Sequence, residues 1–282
     1  MNKLKNFFSK CCKPSNSNNF YKHYVYTDNP NKLAITVGIN YKNDSDDEND
    51  LNGCINDIND LNQFLMEKCN FSSSNIYSLS DEEATKHNIE AALEDMVKFS
   101  HKYENTELWF SFSGHGVQKN SLMEEDGKTE LICPVDYETN GLISDNWLKS
   151  NFINKLSKTC KLFVLMDCCH SGSNLDLPYR LLDKTVTQVS SLVENSANVI
   201  KISGCRDDQT STDFYDYSEK EYQGALTCAF LDSNSGNRFL KRYNKIINNL
   251  KSNGFKQRPV LSFTRPDIVN WYLYDERFEL NI

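Results

Sequence analysis

Six short runs of almost uninterrupted apolar residues constrain this chain more than any other feature. They are Leu33–Ile39 (LAITVGI), Ile76–Leu79, Leu108–Phe112 (LWFSF), Leu162–Met166 (LFVLM), Val199–Ile202 and Val260–Phe263. Each has strand length, and none shows the strict polar/apolar alternation of a half-exposed strand. Between them apolar residues recur at helical spacing. Cys54, Ile55, Ile58, Leu61 and Leu65 form one such set, and Ile89, Leu93, Met96 and Val97 another, with Thr85 placed as N-cap. Further helical patterns cover 145–156, 222–231 and 238–250. Apolar strands separated by helices predict an α/β fold with a mostly parallel sheet covered on both faces. Ile132–Val135 and Leu142–Ile143 read as a hairpin-like region, and the acidic or Asn-rich stretches 43–50, 119–130 and 206–221 as surface loops.

A chain of 282 residues suits one large α/β domain or two small ones. Its 31 basic and 39 acidic residues leave a formal charge of −8, without any Lys/Arg cluster interleaved with aromatics. Nucleic acid is therefore not an expected partner. Ten cysteines occur without a CxxC pair, which argues against a zinc module. With no secretory signal and no membrane-length apolar run, a reducing, intracellular setting with free thiols is expected. Residues 1–30 show no sustained period and read as an N-terminal arm. In it Cys11 and Cys12 sit among Lys3, Lys5, Lys10 and Lys13. They are either an S-acylation site that would bring the chain to a membrane or incidental cysteines of an untethered tail.

Two strand ends carry chemistry. The run 108–112 leads into Ser113-Gly114-His115-Gly116, and the run 162–166 into Asp167-Cys168-Cys169-His170-Ser171-Gly172. Ligands of open α/β sheets bind beyond the carboxyl ends of the strands. If these two strands are neighbours, an imidazole and a thiol face each other across that crevice. Peptide cleavage by a thiol needs a thiolate, a proton donor for the leaving amine, and N–H donors for the oxyanion. His115 meets the second need, and the backbone N–H groups of Cys169 and Gly116 are candidates for the third. The residues alone leave Cys168 and Cys169 as alternative nucleophiles, and a structural histidine beside a core cysteine as the competing reading.

Read with their flanks, these motifs resemble the metacaspases, members of the caspase-like clan of cysteine peptidases. SGHG and DCCHSG stand in that family's order with NGCINDI (52–58), LDLPY (175–179) and SGCRDDQTS (203–211), and the likeness runs over about residues 32–275. It implies a caspase–hemoglobinase-like three-layer sandwich over residues 31–282. A large-subunit-like part would cover about 31–183 and a small-subunit-like part about 196–282. By the same resemblance His115 and Cys169, rather than Cys168, form a dyad that works through a thioester. Cys54, Asp57, Ser113 and Asp167 match the pocket for the residue before the scissile bond. Two carboxylates in a partly desolvated pocket favour a cation, so the implied substrates are peptides or proteins cut after Arg or Lys. The Gln-Ala-Cys-Arg-Gly-type motif of the Asp-specific caspases is absent.

The resemblance has further implications. Many metacaspases hold calcium through acidic side chains away from the dyad. Asp145 and Asp176 match two of those positions, whereas Thr129 (or, with a one-residue slip, Glu130) and Asn146 stand at two others. The missing charges imply a weak or dispensable calcium site, and no other cofactor is expected. Arg180 and Lys184, both basic and in an expected loop, are candidate self-cleavage points. No Pro/Gln-rich prodomain is seen, and the arm, with Tyr21, Tyr24 and Tyr26, is read as edge packing or as a latch over the cleft. A monomer is implied. The rival reading is a catalytically silent caspase-like scaffold, tethered through Cys11 and Cys12. A legumain-like or clostripain-like peptidase would share the dyad but not the flanking motifs.

Overall fold

A computed structural model describes residues 30–42, 50–120, 128–169, 175, 177–182, 185–189, 197–204, 213–216, 221–233 and 238–270. Residues 1–29 of the arm, His170, Asp176 and Lys184 lie outside them. In chain order the strands are β1 (Lys32–Gly38), β2 (Ile76–Ser80), β3 (Glu107–Ser113), β4 (Gly116–Asn120), β5 (Lys128–Ile132), β6 (Ile143–Ser144) and β7 (Lys161–Asp167). They continue with β8 (Tyr179–Leu182), β9 (Thr185–Gln188), β10 (Asn198–Ser203), β11 (Asp213–Asp216), β12 (Glu221–Gly224) and β13 (Val260–Phe263). Four helices matter most: α1 (Cys54–Glu67), α2 (Lys86–Ser100), α3 (Ala225–Leu231) and α4 (Phe239–Ser252).

Eight strands form the central sheet in the order β2-β1-β3-β7-β10-β13-β8-β9. The first five run parallel, and β13, β8 and β9 close the sheet with antiparallel pairings. All six apolar runs became strands of this sheet. They are apolar on both faces because both faces are covered. Leu108, Phe110, Phe112, Leu162, Val164 and Met166 point to a core shared with Ile89, Leu93 and Met96 of α2. Trp109, Phe163 and Leu165 point the other way, against Leu61 and Leu65 of α1, Phe230 of α3 and Phe239 of α4. There the Trp109 and Phe163 rings lie 4.2 Å apart, and Phe163 stacks on Phe239 at 5.2 Å. Such pairs add about 1 kcal/mol each beyond area burial. The result is the expected three-layer α/β sandwich.

Local capping follows the sequence in one helix and departs from it in another. Thr85 accepts the Asn88 N–H at 3.2 Å and caps α2 as its position predicts. The N-cap of α1 is Gly53, which has no side chain to offer. Asn40, just after β1, serves instead, its Oδ1 accepting the Cys54 N–H at 3.0 Å.

Three expectations are corrected. The pattern at 222–231 is not all helix: 222–224 belong to β12, paired with β11, and the helix starts at Ala225. Arg180 is not in a loop. It lies in β8, paired with Ser262 on one side and Thr187 on the other. The stretches 119–130 and 206–221, read as loops, carry strands: the ends of β4 and β5, which join β6 in a small antiparallel sheet, and β11 with the first residue of β12. Among the described residues, no helix is long and apolar enough to cross a membrane.

Candidate active site

The parallel strands deliver their ends to one edge, and chain order reverses on either side of β1, the kind of crevice where α/β sheets bind ligands. There β3 and β7 are neighbours, with Ser113 opposite Asp167. His115 and Cys169 each follow two residues later, so the sheet brings the predicted pair to one place. The Gly114 N–H donates to the Asp167 carbonyl at 3.3 Å and ties the two strand ends together. Gly116 packs so closely on the Cys169 carbonyl that a Cβ would collide with it. A glycine at 116 is thus a steric requirement.

Burial separates the two adjacent thiols. Cys168 is 0 % exposed, whereas Cys169 is half-buried. Cys133 belongs to the same neighbourhood, its N–H donating to the His115 carbonyl at 3.1 Å. Burial, then the nearby Cys169, pushes the Cys133 thiol up to about 12, so it stays protonated at neutral pH.

The four residues predicted for the pocket come from three elements, α1, β3 and β7. Asp57, in the first turn of α1, is 1 % exposed, and Asp167, at the end of β7, is 5 % exposed. Ser113 Oγ donates to Asp57 Oδ2 at 2.5 Å, and the Gly224 N–H donates to Asp57 Oδ1 at 2.8 Å. Asp167 Oδ2 accepts both the N–H and the hydroxyl of Thr227, at 2.9 and 3.0 Å. A Cβ on Gly224 would strike both carboxylates, so the two converge on this one residue. Cys54 sits one turn before Asp57, buried, with its carbonyl against Gly38.

Gly224 and Thr227 escaped the sequence reading. The apolar pattern placed both inside a helix; Gly224 instead ends β12 and is the N-cap of α3, while Thr227 lies in that helix's first turn. The strand that ends at Gly224 is held on α1 by Asn56, which donates to the Tyr222 carbonyl at 2.9 Å, and by Gln223, which donates to Asp60 at 3.1 Å.

Asp145 behaves differently. It is buried, its Oδ1 accepts the Asn146 N–H at 2.6 Å, and its Oδ2 accepts the Glu130 N–H at 3.0 Å. The Glu130 carboxylate accepts from Gln118. Among the described residues no three His, Cys, Asp or Glu side chains converge as a metal site would require. Calcium takes six to eight oxygen ligands, roughly, with several carboxylates. Asp176, the second matched position, lies outside the described residues, and Asp145 braces the β5 backbone.

The profile of the family described as "Metacaspase, peptidase C14 domain" matches residues 32–178, from β1 through both chemistry-bearing strand ends. The chain belongs to the metacaspase family. Metacaspase-1 of Debaryomyces hansenii is 31 % identical over 91 % of this metacaspase and 71 % of its own length. Metacaspase-1 of Arabidopsis thaliana is 32 % identical over 78 % of the chain, and Metacaspase-2 of the same plant 34 % over 72 %. The chain spans 64 % and 51 % of those two plant relatives. A crystal structure of a Geobacter sulfurreducens protein superposes with a TM-score of 0.63 at 21 % identity, covering 87 % of this chain and 99 % of that one. At that identity the likeness speaks for the fold alone. As a metacaspase, the chain is by family a cysteine peptidase.

Proposed function

We propose that this metacaspase hydrolyses peptide bonds after Arg or Lys, with Cys169 as nucleophile and His115 as acid and base. The observation that carries it is the convergence of Asp57 and Asp167 on Gly224, at the strand edge that also bears the half-buried Cys169. Hydrogen bonds from Ser113 and Gly224 to Asp57, and from Thr227 to Asp167, fix the two carboxylates in place. A guanidinium or ammonium entering between them would be charge-paired and hydrogen-bonded, whereas an acidic side chain would bury like charges.

Chemistry then follows from position. The Cys169 sulfur attacks the scissile carbonyl, and the backbone N–H groups of Cys169 and Gly116 donate to the resulting oxyanion. Collapse breaks the C–N bond as His115 passes a proton to the leaving amine, which leaves a thioester on Cys169. Water, deprotonated by His115, attacks that thioester, releases the new carboxylate and restores the thiol.

Short fluorogenic peptides ending in Arg, Lys or Asp, assayed under reducing conditions, test this. Cleavage after Arg and Lys but not Asp is expected. Silence toward all three, with and without calcium, would instead favour the non-catalytic scaffold.

Calcium is expected to be dispensable, because Asp145 already holds two backbone donors. A titration of activity against free Ca²⁺ should be flat, and strong micromolar activation would overturn this. Of the two self-cleavage candidates, Arg180 is set aside because its strand is paired on both sides. Lys184 is proposed in its place. Incubated wild-type protein should yield fragments ending at Lys184 that the Cys169→Ala protein lacks; identical bands would dispose of the idea.

A further inference from the structure

We infer that Tyr41 is a positioning residue that holds His115 in place for the reaction. The inference rests on the peptidase reading above and names a part of the site that neither motif contains. Tyr41 lies just past β1 and is 1 % exposed. Its backbone is left-handed, with φ of 58°. A bulky residue adopts that conformation only where its surroundings impose it, and such strain gathers at functional sites.

Asp81 imposes it here. Its Oδ1 accepts the N–H of Asn40 at 2.7 Å and that of Tyr41 at 3.3 Å. The turn aims the Tyr41 side chain into the SGHG segment. Its ring lies against the His115 imidazole, with centroids 4.6 Å apart and planes inclined by 33°. Its hydroxyl accepts the His115 N–H at 2.9 Å and donates to the Cys133 carbonyl at 2.7 Å.

Three bonds therefore close a small circuit. Tyr41 holds the His115 N–H, Cys133 holds the His115 carbonyl, and Tyr41 holds Cys133. The hydroxyl fills the inside of the turn so completely that a Cβ on Gly114 would stand 2.9 Å from it. Burial, then the Cys133 thiol, holds the Tyr41 phenol well above its usual range, so it keeps the proton it donates. Asn40, one residue earlier, caps the helix that carries Asp57. One dipeptide thus sets both the pocket helix and the histidine. Phenylalanine at 41 would preserve the packing but leave a buried N–H and a buried carbonyl without this partner. The His115 backbone would then drift, and small misplacements of a reacting group cost rate rather than binding.

The test compares Tyr41→Phe, Tyr41→Leu and the control Tyr243→Phe. Tyr243 also donates a buried hydroxyl to a backbone carbonyl, that of Pro259 at 2.8 Å, in the α4 region. Cleavage of an Arg-ended peptide is measured per titrated active site. Expected are a loss of kcat of roughly tenfold for Tyr41→Phe and roughly a hundredfold for Tyr41→Leu, with KM held within about twofold. Tyr243→Phe should keep kcat. The rate of iodoacetamide modification at Cys169, followed by peptide mass spectrometry, should fall in the same order. If Tyr41→Leu fails to fold, Tyr41→Phe against Tyr243→Phe carries the comparison. A Tyr41→Phe protein within about twofold of wild type in both readouts overturns the inference, as does a loss carried by KM. A wild type that is modified rapidly at Cys169 yet cleaves no peptide overturns the peptidase reading instead. The modification rates alone then decide the role of Tyr41.

Discussion

Cys169→Ala should lower cleavage of an Arg-ended peptide by about 10⁴-fold or more, while Cys168→Ala leaves kcat within a few-fold of wild type. Alanine at 169 removes the sulfur proposed to form the thioester. Cys133 is buried and its thiol is pushed up to about 12, so it offers no thiolate at neutral pH. Cys168 is 0 % exposed and turns toward Gly116, where its sulfur would lie 3.3 Å from an added Cβ. Its loss removes packing and not chemistry. A stability cost of about 1–2 kcal/mol, seen as a lower melting temperature, is the expected sign. The reverse pattern, with Cys168→Ala dead and Cys169→Ala active, would move the nucleophile by one residue.

Asp57→Asn should lower kcat/KM on Arg- and Lys-ended peptides by about 10²-fold and erase most of the preference over neutral ones. The substitution isolates charge from scaffolding. An asparagine oxygen can still accept the Gly224 N–H, and its amide can donate to Ser113 Oγ, which is able to accept. What disappears is one of the two negative charges that would face the substrate cation. Leaving a buried cation half-paired costs several kcal/mol at most sites, so the loss should fall mainly on KM. Unchanged selectivity in a folded Asp57→Asn protein would mean that the basic side chain binds elsewhere.

The fold was legible where burial dictates composition. The parallel strands had to be apolar on both sides, and their runs stood out without help. The β8–β9 hairpin was not visible, because YRLL and TVTQ are four-residue strands at the sheet's edge with mostly half-exposed or exposed side chains. Strand β12 was absorbed into a helix because Tyr222, its one apolar residue, falls at helical spacing from Ala225 and Leu226 of α3. At the site, the glycines and the two strand ends could be read directly, but Asp57 on a helix looks like any solvent-facing carboxylate. Its partner Gly224 lies 167 residues away, a distance no local pattern encodes. Tyr41 was silent for a similar reason. Its role depends on a left-handed turn and on Asp81, 40 residues later.

That 167-residue span also sets an order of events during synthesis. A ribosome adds about 5–20 residues each second, and the N-terminal side of the sheet emerges first. His115 and Cys169 are made well before Gly224 and Thr227, which complete the surroundings of Asp57 and Asp167. The β8–β9 hairpin, paired to the rest of the sheet through β13, must wait longer still. A nascent chain therefore carries the Cys169 thiol and the His115 imidazole before the residues that surround Asp57 and Asp167 are complete.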